Sequence, residues 1–549
     1  MKNLLLFLSL MVLFSLMTEA AVPKSKYSKS KAPVIEKWEV QDISFKARVG
    51  KDNPFTTTFE ALFTGPDGTQ QKVPGFYNGK DEWIIRFSGS MAGEWQYETL
   101  SPIRALNGKT GKITVTNENM KAYKGGVVIP EAYPNRFSYE NGDPYFLMAF
   151  ECDWLHALDY HSTTNMPKTD RLLDIIDENG FNQVVMNVFT YNVAGGEGEW
   201  KKDEKLVHHP EYEFGGPEEI FPFLGNNKNP DYSSLNVEFF QKFDRVLQKM
   251  HDKQLVSHLM IYVWNKLVAW PEMYSEADNM YFDYVVKRYQ AFPNIMWDIS
   301  KEALFYGRAD DEYILERLDR FRKLNDFDRT VTVHDYGFCK RHPEAVDYIS
   351  RQTWDYSLYT QMYNDYKKFG DKPVFNIEHG GYEESHFQVF TGTYTNAEVC
   401  LKRNYQCAFA GTYSTYYWQG LSWDVMIHDP EAQPEGWYRP KFEYFKHFTN
   451  LFTTYNWHKF TPTPWQNSSG YSMNDGAGTY MMYVPQEVYM IRAQYLFNKN
   501  YKPGKYRWFN TLTGEYTDYE SLPKKNSPFY NPWKNGADAV LIVEQDNNM

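Results

Sequence analysis

Apolar and polar positions follow three successive rhythms along this chain. From about Val34 to Thr116, short runs rich in β-branched and aromatic residues alternate with polar ones: Phe55–Phe63, Glu82–Phe87, Glu94–Thr99 and Lys112–Thr116. Pro66-Asp67-Gly68 and Asn78-Gly79 supply the turns, so residues 33–120 read as a β-sandwich that packs against the next domain. From Gly125 the pattern becomes apolar runs separated by amphipathic stretches. The strand candidates are Tyr145–Phe150, Gln183–Phe189, Leu255–Val263, Ile295–Ile299, Thr330–His334, Val346–Ser350, Val374–Ile377 and Thr412–Trp418. Helical stretches lie at Asp170–Glu178, Val237–His251, Met280–Gln290, Tyr313–Leu324, Tyr359–Phe369 and Ala397–Ala408. In the second of these, Phe239, Phe240, Phe243, Val246, Leu247 and Met250 share one face. Eight such units predict an α/β fold, a (β/α)8 TIM barrel over residues 125–454, and no glycine-rich phosphate loop follows the first strand. From Tyr455 the pattern is β again (Tyr480–Val484, Val488–Ala493, Lys505–Asn510, Ala539–Glu544), which predicts a second small sandwich over 455–549.

Two of the barrel strands end in the same way. Asn294-Ile295-Met296-Trp297-Asp298-Ile299-Ser300-Lys301-Glu302 and Lys372-Pro373-Val374-Phe375-Asn376-Ile377-Glu378-His379-Gly380 are apolar runs that stop at a glutamate. Strand ends gather at the carboxyl face of a barrel, and two carboxyl groups delivered there are what retaining glycoside hydrolysis requires. Other candidates occupy the remaining strand ends: Asp153 and Trp154, Asn187 and Tyr191, Trp264, Lys301, His334, Gln352 and Trp354, His379, Trp418 and Trp423. Rings at such places can stack on a sugar face while polar groups fix its orientation. The stretch from Tyr191 to Asn236 is too long for a connector and is expected to form one wall of the cleft.

Composition narrows the partners. Aromatic residues make up 18% of the 549, and the formal net charge is −12, which argues against nucleic acid or an anionic membrane as the main partner. Met1–Ala20 has the charged start, apolar middle and small-residue cleavage site of a signal peptide, so the mature chain is expected to be exported, periplasmic or secreted, with no integral membrane segment. Cys152, Cys339, Cys400 and Cys407 match no zinc spacing, and neither a pair of His at metal-binding helical spacing nor any other metal motif is present.

The layout and several short motifs resemble a known family. Asn141-Gly142-Asp143-Pro144-Tyr145-Phe146, then Asp153-Trp154-Leu155 and Asn179-Gly180-Phe181-Asn182, are similar to the opening of the apiosidase-like family of clan A glycoside hydrolases. Gly75-Phe76-Tyr77-Asn78-Gly79, Trp83, Arg86-Phe87 and Gly93-Glu94-Trp95 resemble the sandwich that often precedes such barrels. Tyr506-Arg507-Trp508-Phe509-Asn510 with Thr513-Gly514-Glu515 resembles a collagen-binding-type β-domain found after them. The resemblance implies a retaining double displacement on a polysaccharide or oligosaccharide, without cofactor or metal, with Glu302 as acid/base and an ionised Glu378 as nucleophile. One position departs from the family pattern: Lys301 stands where the clan has an Asn that contacts the sugar 2-hydroxyl. A lysine donates but cannot accept, which opens two expectations: an anionic sugar, or a non-catalytic carbohydrate-binding barrel. Export is directly checkable: N-terminal sequencing of the secreted chain should find Ala21 first, and an intact Met1 on extracellular protein would refute the signal.

Overall fold

The computed structural model describes residues 32–118, 120–153, 155–190, 220–264, 268–379, 397–416, 429, 431, 441–488, 490–497, 501–525, 527–533 and 536–546. The eight parallel strands of the central sheet are β1 (Met148–Glu151), β2 (Gln183–Asn187), β3 (Val256–Val263), β4 (Ile295–Lys301), β5 (Val331–His334), β6 (Ile349–Gln352), β7 (Val374–Glu378) and β8 (Tyr413–Tyr416). They pair in the order β5-β4-β3-β2-β1-β8-β7-β6. Each is followed by a helix: α1 (Pro167–Glu178), α2 (Val237–Asp252), α3 (Glu276–Tyr289), α4 (Asp311–Leu324), α5 (Tyr336–Arg341), α6 (Leu358–Lys368), α7 (Ala397–Phe409) and α8 (Phe442–Thr454). Side chains fill the inside of the barrel and helices cover the outside, so β3 and β4 are buried at every position, polar residues included.

The barrel is nearly closed. Between β5 and β6 the ladder is replaced by a seam in which Asp347 N donates to Val331 O (2.9 Å), Val331 N to Asp347 Oδ2 (2.7 Å) and Thr332 Oγ1 to Tyr348 O (2.7 Å). The seam explains why β6 begins at Ile349, later than the apolar run from Val346 predicts: Asp347 and Tyr348 are bonded to β5 instead. A similar displacement occurs before the barrel. The run from Phe55 becomes strand only at Glu60, because Asn53 turns the chain, with its side chain accepting from Phe55 N and its carbonyl from Thr57 Oγ1.

β-rich layers flank the barrel on both sides in sequence. A five-stranded sheet (Val34–Glu36, Thr110–Thr116, Gly93–Leu100, Glu60–Thr64, Gln70–Pro74) and a three-stranded one (Val40–Lys46, Glu82–Ser88, Phe76–Tyr77) enclose Phe59, Phe63, Trp83, Ile85, Phe87 and Ile113. After α8, a six-stranded antiparallel sheet centred on Thr479–Val484, Ala539–Gln545 and Gly504–Asn510 packs with a two-stranded ribbon (Met490–Ile491, Phe529–Tyr530) around Met482, Trp508, Leu541 and Val543. Residues 34–549 are one compact unit. Among the described residues no helix is long and apolar enough to cross a membrane.

The first sandwich is fastened to the barrel by buried charge. Arg86, 4% exposed, pairs with Asp42 of its own sheet at 2.7 Å and with Asp244 of α2 at 3.0 Å, and it also donates to the Arg288 carbonyl. Arg288, fully buried on α3, shares Asp244 at 2.6 Å and donates to Asn78 Oδ1 of the sandwich. Burial opposes the charge on Asp244, but the two guanidinium groups outweigh it and hold its carboxyl below the usual aspartate range. Asp244→Ala would leave two buried cations with one carboxylate fewer and should cost about 3–5 kcal/mol in thermal or urea unfolding. Because the folded pKa is depressed, this contribution is complete above the ordinary aspartate range and should disappear as pH falls below it.

Candidate active site

Every barrel strand points its last residue at the same rim, and on this rim the side chains are mostly polar. β1 ends in Glu151, β2 in Asn187, β4 in Lys301, β5 in His334, β6 in Gln352 and β7 in Glu378. The ladders bring these ends level: Val263 faces Lys301, Lys301 faces His334, and Gln352 faces Glu378.

Lys301 sits at the centre. It is 1% exposed, and its Nζ lies 2.5 Å from Glu378 Oε1, 2.9 Å from Glu151 Oε1 and 3.9 Å from Asp153 Oδ2. Burial pulls its pKa down, but Asp153, Glu151 and Glu378 outweigh that and hold the ammonium well above the ordinary lysine range. Glu151 moves the opposite way to most paired acids: burial, then the charge of Glu378, pushes it well above the carboxylate range despite Lys301.

A second chain of contacts reaches Glu378 from the other side. Gln352 Nε2 donates to Glu378 Oε2 at 2.9 Å, and His334 Nε2 lies 3.2 Å from Gln352 Oε1. The carboxylate can only accept, so the Gln352 oxygen is the end left to face His334, which must donate through Nε2 and carry no proton on Nδ1. Burial and the neighbouring Lys301 push His334 down to about 3, in keeping with that neutral tautomer.

Glu302 leaves the strand directly after Lys301. It is half-buried, with φ of +58°, a left-handed conformation unusual for any residue with a Cβ. Its amide donates to the His334 carbonyl at 3.1 Å. Just before it, the β4–β5 register slips between Asp298 and Lys301, and Asp298 Oδ1 accepts from the amides of both Ser300 and His334. Bulges of this kind re-aim side chains at barrel rims. Asp298 is itself held from below by His258 at 2.9 Å, which contacts the Tyr348 hydroxyl. The charge of Glu302 is one of the four acidic influences on Lys301, so both glutamates act on the same ammonium.

The sequence model of the apiosidase-like catalytic domain matches residues 134–469, which takes in every strand and helix of this barrel. The chain belongs to the apiosidase-like family. A domain of unknown function, DUF5060, matches residues 34–102, within the sandwich that precedes the apiosidase-like barrel. No curated protein matches the chain. Among solved structures, a candidate glycoside hydrolase from Bacteroides vulgatus is similar over 94% of this chain and 100% of its own, at 19% identity and a TM-score of 0.70. A glycoside hydrolase family 5 protein from the same species is similar over 78% of this chain and 96% of its own, at 16% identity and a TM-score of 0.53. At such identities these likenesses establish the architecture that the apiosidase-like barrel shares with them.

Within that barrel the residues singled out from sequence separate into groups. Glu378, Lys301, Asp153, His334 and Gln352 converge around the buried ammonium. Asn187 is buried on the same rim, and neither end of its amide has a hydrogen-bond partner among the described residues. Trp264 is embedded, its ring 5.4 Å from Tyr262 and 6.2 Å from Trp270, and Trp354 is also buried. His379 turns towards α7, where Asn404 Nδ2 lies 3.1 Å from its Nε2 and Arg403 grips its carbonyl. Trp154, Tyr191, Trp418 and Trp423 lie outside the described residues, as does all but the end of the predicted cleft wall. Glu151 is absent from the set that sequence reasoning singles out. Its signal is present, since Phe150-Glu151 is a third apolar run stopping at a glutamate, but the apolar pattern ends the strand one residue early.

Two substitutions test this electrostatic arrangement. Lys301→Met strands buried carboxylates and should cost about 3–5 kcal/mol at pH 8. Those acids would bind protons more readily folded than unfolded, so the deficit in Tm should shrink between pH 8 and pH 5. Glu151→Gln, which keeps an oxygen within reach of Lys301 and removes an acid whose charged form burial disfavours, should cost less than Lys301→Met, about 1–2 kcal/mol.

Proposed function

We propose that this protein is an exported, retaining glycoside hydrolase acting on plant or algal polysaccharides or their oligosaccharides. The barrel spans 125–454, a sandwich precedes it over 33–120, and a second one comes after it over 455–549. The observation that carries the reading is Glu378: a buried carboxylate at the end of β7, clamped by Gln352 and Lys301, on the carboxyl rim of an apiosidase-like barrel and opposite the strand that ends next to Glu302. In this mechanism Glu378 attacks the anomeric carbon while Glu302 gives its proton to the departing glycosidic oxygen. Glu302 then takes a proton from water as that water displaces Glu378, and configuration is retained. Clamping from two sides sets the direction of attack before substrate arrives, which is where most of the benefit of positioning lies.

Lys301 motivates a second reading. With Nζ at 2.5 Å it occupies one Glu378 oxygen while Gln352 holds the other, and a barrel locked in that state binds carbohydrate without cutting it.

Covalent trapping separates the two. A panel of activated 2-deoxy-2-fluoro glycosides should add one glycosyl mass to the peptide holding Glu378, and no label should appear in Glu378→Gln. Glu302→Gln should lower kcat by about 10²–10⁴. Undiminished hydrolysis by Glu378→Gln would discard the mechanism, and glycan binding without any label would favour the binder.

A further inference from the structure

The described part of the barrel exposes its aromatic residues unevenly. Between β1 and α8 the strongly exposed ones are Tyr274 (50%), Phe305 (79%), Tyr306 (50%) and Tyr356 (62%). All four lie in connections that lead from a strand to the next helix: β3 to α3, β4 to α4, and β6 to α6. Such connections form the carboxyl rim, the same rim that carries Lys301 and Glu378. Among the described residues none lies in a connection at the opposite end of the barrel. A single exposed ring is ordinary; a set of them confined to one rim marks a binding surface.

Phe305 and Tyr306 form a unit within this set. Their ring centroids are 5.2 Å apart and their planes meet at 86°. The loop that carries them is tied down rather than loose: Tyr306 N donates to Glu302 O at 3.2 Å, Gly307 N to Leu304 O at 3.0 Å and Arg308 N to Ala303 O at 2.9 Å. Ala303 is fully buried and Leu304 packs on the core, so the turn is anchored inward at two positions and presents rings at the next two. With the backbone of the turn already fixed, only side-chain freedom is left to lose on binding, which favours stacking on a ligand. Phe305 comes three residues after Glu302, a reach of at most about 10 Å along the backbone.

We infer that Phe305 and Tyr306 form a saccharide-stacking platform on the leaving-group side of the cleft, the first step of an aromatic rim that holds a glycan chain beyond the bond being cut. The assignment rests on Glu302 being the proton donor, since that residue faces the departing sugar. The occupant is a pyranose or furanose ring of the substrate chain, which offers a C–H face to the rings and hydroxyls to the Tyr306 phenol.

The test uses the full chain and the double variant Phe305→Ala/Tyr306→Ala, which removes exposed rings and should leave Tm within about 2 °C of the parent. Both are run in native gels containing soluble xylan, galactomannan, arabinogalactan or alginate. The parent should be retarded by at least one of these, and the variant's dissociation constant from that glycan should rise about tenfold. Where hydrolysis is measurable, the gain in kcat/KM from a disaccharide to a tetrasaccharide should be lost in the variant. Equal retardation of parent and variant, or no retardation of the parent by any of the four, overturns the platform. Retardation that depends on the two rings in a protein that hydrolyses nothing keeps the saccharide-stacking role of the rings, overturns their leaving-group position and rejects the hydrolase reading.

Discussion

One buried ammonium group sets the terms for the candidate site. Taking the charge of Lys301 out of water is costly, by several kcal/mol for a single ion, and the cost is met only if carboxylates stand within contact distance. Here they come from β1 and β7, strands far apart in sequence, while the lysine comes from β4. The cluster exists only when the barrel has its full set of strands at the correct levels. Register across the sheet and charge at its rim are therefore one constraint seen twice. The same cation that makes three acids tolerable together also fixes where Glu378 sits, with Gln352 completing the grip.

The contacts below and beside the rim serve that arrangement. Asp298 ties the bulge in β4 to the backbone of β5, so the chain can leave the strand abruptly at Glu302 without orphaning two amides. His334 stays neutral and keeps a single tautomer, so it contributes a donor rather than a second cation next to Lys301. Farther out, Arg86 and Arg288 bind the first sandwich to α2 and α3, and the match to DUF5060 lies on that sandwich. These contacts attach the sandwich to the helices of the barrel.

Much of the fold can be read from the chain because parallel strands buried on both faces leave long apolar runs, and the helix over Val237–Asp252 shows the same clarity on one face. The departures are local and physical. Asn53 bends the chain where alternation promises a strand, and the β5–β6 seam takes up residues that apolar content assigns to a ladder. At the site, strand-end glutamates are visible because charge at the end of an apolar run is conspicuous. The pairing of Lys301 is not, since lysines seldom lie buried and nothing in a one-dimensional pattern says that three acids will arrive from elsewhere. The embedding of Trp264 and the engagement of His379 by Asn404 are hidden for the same reason. The resemblance of the C-terminal β-domain rests on its motifs alone.

The left-handed backbone at Glu302 carries an evolutionary consequence. Holding a glutamate at a φ of +58° costs about 1 kcal/mol that glycine would not incur. The mutational path that strengthens the fold therefore runs through loss of the carboxyl group, and drift under selection for robustness alone would erase it. Glycine at this position would relax the backbone and delete the acid in a single step, so local robustness and an acidic side chain on the rim are competing demands on one residue.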